Sequence, residues 1–254
     1  MDWVGPGADW KEAAAYAPLV GADRSIFAWE WLRRDPHYRE AAARAGRDAR
    51  HNLADSARWG LHGFEDPGKA ALDARPVWSA DWHAHVLEAA ARAPAAATDA
   101  FDLSRHSGLA TLVDGAGRGQ HLLLSDGLNA IRLDLVAGSV AEGPVELHYL
   151  LSGSASAKAR LLALRRLLAL DDSGGFSRTL HPREPSARRW ILALRAHDAL
   201  AVGAGHREIA AELLSDAAAG ARWRVKAASV RSQVQRLVRS ARTFARGGYR
   251  SFLD

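Results

Sequence analysis

The sequence predicts an α+β chain that is mainly α, with helices at both ends and a small antiparallel β-sheet between them. Three observations carry this. Apolar residues recur at helical spacing over residues 9–47 and again from Ala157 onward. Between residues 109 and 151 the period drops to two, and short apolar runs alternate with glycine-rich turns. The charge divides as well: residues 1–150 hold 15 Lys/Arg against 21 Asp/Glu, whereas residues 151–254 hold 19 against 8. The expected domains are a helical one over 1–75, a helix plus sheet over 76–151, and a basic helical one over 152–254.

The elements follow in order. Asp9 is placed to cap a helix from Trp10 to Tyr16, ended by Pro18. Arg24 to Arg34 form a second helix, with Ile26, Phe27, Trp29, Trp31 and Leu32 as its apolar surface. The Asp35-Pro36 pair breaks it, because the residue before proline disfavours the α region. A third helix runs from His37 to Arg47. Residues 48–75 are mixed, with Trp59, Leu61 and Phe64 as core and Asp66-Pro67-Gly68 as a turn. Residues 81–93 (DWHAHVLEAAARA) read as another helix, and the alanine-rich stretch after it as a linker. Strands are expected over 109–113, 121–125, 129–136 and 144–151, separated by turn signals at Asp114-Gly115, Gly117, Gly119, Asp126-Gly127, Gly138 and Gly143. Helices then cover 157–170, Ser186 to Ala201 and 206–214. A last helix starts at Ser229 as N-cap and stops at Gly247-Gly248.

Composition excludes several function classes. The absence of cysteine removes disulfides, thiolate metal sites and cysteine nucleophiles. No run of 18 apolar residues exists, and the first residues have neither a basic region nor an apolar one, so a cytoplasmic protein is expected. The pair His83 and His85 lacks a third ligand at metal spacing. Gly115, Gly117 and Gly119 lack the Gly-Lys-Ser/Thr ending of a phosphate loop, and Asp102, Ser104 and His106 are near each other only in sequence. No enzyme, cofactor or metal site is expected.

The stretch 186–248 is the most informative. His206 to Leu214 resembles the first helix of a helix-turn-helix, with Ile209 and Ala210 toward the core, and the last helix is then the DNA-reading one. In that helix Val230, Val234, Leu237, Val238, Ala241, Phe244 and Ala245 make one apolar stripe. Arg231, Gln235, Arg239, Arg242 and Arg246 share the opposite face. Between Ala217 and Leu253 there are nine basic residues and no acidic one. A face of one sign suits phosphate, because each contact releases counterions. Arg231, Ser232, Gln233 and Gln235 are assigned to base edges. Arg222, Arg224, Lys226, Arg236, Arg239, Arg242 and Arg246 are assigned to phosphates. Leu214 and Ser229 are far apart for the usual turn of three or four residues, so the turn is extended.

These residues carry a resemblance. Leu161 to Leu170 (LLALRRLLAL), Phe176 to Glu184, Arg188 to Leu200, Arg207 to Ala210, Arg231 to Val238 and Gly247 to Arg250 resemble the proteobacterial domain-of-unknown-function family 2285. Asp23 to Arg39 is similar to the transcriptional-regulator-like domain often found upstream of it. The resemblance implies an extended-turn variant of the helix-turn-helix. It also implies, for two-part members with a basic C-terminal domain, activators of the transfer of integrative and conjugative elements. Single-domain acidic members act as antiactivators by binding the N-terminal domain.

The expectation is therefore a sequence-specific transcriptional regulator that binds double-stranded DNA. Phe27, Trp29, Trp31 and Tyr38 are assigned to interdomain or partner contact, with RNA polymerase or a single-domain antiactivator as protein partners and the nucleoid as its place when bound. The main alternative is an antiactivator that acts by protein contact without DNA. An RNA-binding module would prefer single strands and use the tryptophans.

Overall fold

A computed structural model describes residues 9–46, 52–115, 117, 119–214 and 223–254, with residues 223–228 described by backbone alone. Four helices begin the chain: α1 Ala13–Tyr16, α2 Arg24–Leu32, α3 Pro36–Ala45 and α4 Leu53–Ala57. Helix α1 is shorter than expected. Asp9 does not cap it; its Oδ1 accepts the Lys11 amide at 3.0 Å, and Glu12 takes the N-cap position. Asp35 has a second role besides ending α2. Its Oδ1 accepts the His37 amide at 2.8 Å, and Pro36 follows at the first position, where a missing N–H costs nothing. Residues 25–32 of α2 are all buried, the mark of a helix enclosed on every side.

The middle of the chain departs from the expected small antiparallel sheet. It is a curled, mixed sheet of six strands: β1 Leu87–Arg92, β2 Ala100–Phe101, β3 Ala110–Asp114, β4 Gln120–Ser125, β5 Ala130–Ala137 and β6 Val145–Leu150. The spatial order is β2-β6-β1-β5-β4-β3. Strand β1 corrects the helix expected over 81–93. It pairs parallel with β5 and antiparallel with β6, and its exposure alternates along the strand. Pairing on both edges and burial of Leu87 and Ala89 outweigh the helix propensity of Leu-Glu-Ala-Ala-Ala-Arg, which is worth only tenths of a kcal/mol per residue. Small side chains also admit a close neighbour. A Cβ on Gly138 (φ +77°) would sit 2.1 Å from the Ala91 carbonyl oxygen.

Helix α5, Ser154–Ser173, packs Ala163, Leu167 and Leu170 against the core formed by β1, β4, β5 and β6. It ends where Gly174 turns left-handed (φ +71°). Then come α6 Ala187–Ala201, α7 His206–Leu213 and α8 Trp223–Ala245. Helix α8 starts six residues before Ser229, so Ser229 is not its N-cap. Its end agrees with the expectation, since Gly247 is left-handed (φ +99°) and a short 3₁₀ turn, Gly248–Phe252, follows.

The first three helices and the last three share one hydrophobic core, which runs from Trp10 and Phe27 through Trp190, Leu194 and Ile209 to Val238 and Phe252. A buried ionic network crosses it. Arg34 donates from Nε and Nη2 to the two Asp198 carboxylate oxygens at 2.7 and 2.8 Å, and from Nη1 to Glu30. Tyr16 donates its hydroxyl to Asp198 Oδ2 at 2.7 Å.

Candidate nucleic-acid interface

Helices α6, α7 and α8 pack against one another. The apolar stripe of α8 lies inward as its spacing requires. Val230, Val234, Leu237, Val238 and Ala241 are buried, and Phe244 and Ala245 are packed against the same core. The opposite face is open to solvent: Arg231, Ser232, Gln235, Arg236, Arg239, Arg242 and Arg246 are all exposed. Gln233 differs, being half-buried with its amide 3.4 Å from the Ser229 hydroxyl, one turn back on the same helix. Arg222 lies outside the described residues, and the side chains of Arg224 and Lys226 do so as well.

Among the described residues, none of Arg231, Arg236, Arg239, Arg242 and Arg246 forms an ion pair. The two acids of α7 face elsewhere. Glu208 is 3.0 Å from Lys11, and Glu212 is 3.7 Å from Arg195, whose guanidinium also donates to the Trp10 and Lys11 carbonyls. The segment before α1 thus covers the acidic side of α7. On the other side, an open groove between α7 and α8 is lined by His206, Gln235, Arg239, Arg242 and Arg246. His206 opens α7, where free backbone N–H groups favour anions. Arg250 is the exception in the basic run, since its guanidinium lies 4.2 Å above the Trp82 ring.

The start of α8 at Trp223 changes the geometry expected of this surface. The amides around Ser229 lie inside a helix and bond to carbonyls one turn back, so they offer no phosphate site there. A helix of 23 residues is about 35 Å long, more than the roughly 12 Å width of a major groove. Arg231 and Arg246 lie roughly 22 Å apart along the α8 axis.

The four aromatic residues near the N-terminus fall into two pairs. Phe27 meets Trp190 edge-on at 5.0 Å and Trp31 meets Phe244 at 5.3 Å, so these two reach the C-terminal helices. Trp29 and Tyr38 meet each other at 5.8 Å; Trp29 donates to the Lys69 carbonyl and Tyr38 to the Glu65 carbonyl. All four rings are buried, and among the described residues no tryptophan is exposed. They offer no platform for stacking single-stranded bases.

Two family models match the chain. Residues 150–254 match one described as a T6SS transcription factor DNA-binding domain, and residues 9–62 match the proteobacterial transcriptional regulator-like domain. No curated protein and no solved structure matches it. The DNA-binding match contains α5 to α8 and the whole exposed arginine face. The regulator-like match contains α1 to α4. No described helix is long and apolar enough to cross a membrane.

Proposed function

We propose that this chain, a transcription factor with a C-terminal DNA-binding domain, reads a specific duplex sequence through α8, with α7 and α8 acting as an extended-turn helix-turn-helix. The observation that carries this reading is the exposed single-sign face of α8, free of ion pairs, on a helix whose other face is fixed in the core. Arg231, Ser232 and Gln235 are exposed and chemically suited to base edges. Arg236, Arg239, Arg242 and Arg246 hold the backbone, together with His206 at the mouth of α7. Arg222, Arg224 and Lys226 extend the same charge toward the start of α8.

The regulated genes follow from two separate likenesses. The resemblance to family 2285 favours activation of transfer genes on an integrative and conjugative element. The matched DNA-binding model is described by its type VI secretion context. We favour transfer genes, because the upstream regulator-like domain accompanies the resemblance over Asp23 to Arg39.

Fluorescence anisotropy on duplexes from both kinds of promoter, across a salt series, tests the proposal. Saturable, steeply salt-dependent binding to a transfer promoter, lost in an Arg231→Glu/Arg239→Glu variant, is the expected result. Absence of binding to every duplex, with tight capture of a homologous N-terminal domain, would favour the antiactivator alternative instead.

A further inference from the structure

Three residues far apart in sequence converge where the end of the N-terminal region meets the sheet. His62 follows Leu61, which bridges to Trp78, and its amide donates to the Val77 carbonyl at 2.8 Å. His121 on β4 and Asp134 on β5 are direct partners in the β4–β5 register. The His62 and His121 rings stack in parallel with centroids 3.4 Å apart. Asp134 Oδ1 lies 2.8 Å from His121 Nδ1 and accepts from Arg132 Nη2 at 2.7 Å. Its Oδ2 is 4.0 Å from His62 Nε2, which is buried and has no hydrogen-bond partner. One donor atom from each of the three residues lies within 4.8 Å of the others.

We propose that His62, His121 and Asp134 bind a divalent transition cation of the zinc class. Two imidazole nitrogens and one carboxylate oxygen are the donor set such a cation takes, with a fourth position left for water. The His62 side chain is 22% exposed and that of Asp134 13%, so the three residues lie just beneath the surface. Arg132 fits the role of a supporting donor rather than a competitor. Its guanidinium is fixed by the Trp78 carbonyl at 2.9 Å and by the Leu122 carbonyl, and it holds Oδ1 while Oδ2 faces His62. Coordination turns the two parallel rings so that their in-plane lone pairs converge; the cation then replaces the His121–Asp134 hydrogen bond and gives His62 Nε2 the partner it lacks. It also ties the last residue of the regulator-like match to the sheet.

The test uses the full chain, stripped with chelator and titrated with Zn²⁺ against a chromophoric competitor, with thermal unfolding in parallel. One equivalent of tight binding and a higher unfolding temperature are expected. His62→Phe and His121→Phe keep a ring to stack but remove the donor, and each is expected to lose the tight site. His148→Phe, at a side chain 46% exposed, is expected to keep it. On the unaltered chain, zinc is expected to slow carboethoxylation of His62, which locates the site without any variant. No saturable binding, or undiminished binding by His62→Phe with a native circular dichroism spectrum, overturns the proposal. Equal His62 labelling with and without zinc does the same.

Discussion

Arginine serves two opposite purposes in this molecule, and the contrast between α2 and α8 separates them. Arg33 and Arg34, directly after α2, are buried, and each pairs with Glu30 on α2; Arg34 also clasps Asp198 from α6. The arginines of α8 between Arg231 and Arg246 are exposed, and among the described residues they pair with no acid. Both helices owe their place to the same core. A guanidinium taken out of water has to be neutralised locally, so its partners are part of the fold. A guanidinium left in water without a partner adds little to stability, and its field extends outward to whatever anion arrives. Partnering, more than the number of arginines, tells the two uses apart.

Breaking the buried side should have the largest effect on stability. Asp198→Ala removes the carboxylate that Arg34 clasps and an acceptor of Tyr16. A loss of about 3–5 kcal/mol is expected in urea unfolding, as for other buried pairs deprived of one partner. A loss below about 1 kcal/mol would mean that water replaces Asp198 and that the network is not a structural lock.

Removing a charge from α8 should do the reverse. Arg242→Ala is expected to change unfolding stability by no more than about 0.5 kcal/mol, as exposed sites usually do. It should lower DNA affinity on specific and unrelated duplexes alike, and reduce the slope of log K against log salt by about 0.9. An unchanged slope would remove Arg242 from the phosphate-contacting set. An affinity loss confined to one sequence would make it a base reader.

The smallest effect is in acid. Burial alone would raise the Asp198 carboxyl, but Arg34 beside it, with hydrogen bonds from Arg34 and Tyr16, holds it below the usual carboxylate range. A carboxyl depressed on folding stabilises above its unfolded value, about 3.9, and that stability is lost as pH falls through the folded value. The unfolding free energy should therefore decline below about pH 4. The Asp198→Asn variant, less stable at neutral pH, should show a shallower decline over the same range. Parallel curves would place the acid sensitivity elsewhere.

Much of the basic face of α8 was legible because a helix of period 3.6 betrays its faces directly. The apolar positions from Val230 to Ala245 could only be one stripe, which left Arg231, Gln235, Arg239, Arg242 and Arg246 outside. The strands β3 to β6 were readable for a similar reason, since alternation and the glycine turns are local signals. Strand β1 was not, because Leu-Glu-Ala-Ala-Ala-Arg has the composition of a helix, and only pairing with β5 and β6 makes it a strand. The start of α8 was misplaced because Ser229 looks like a cap, while nothing from Trp223 to Ala228 forbids a helix.

By itself, then, the sequence determined where the charge lies, which faces are apolar, and that the C-terminal region presents a basic helix. Those properties depend on neighbours within one or two turns. The tertiary structure decided which distant residues meet: that Arg34 after α2 and Asp198 on α6 share a buried ion pair, that β1 enters the middle of a mixed sheet, and that His62 stacks on His121 beside Asp134. Such contacts join chain segments about 45 to 165 positions apart, and no local period records them.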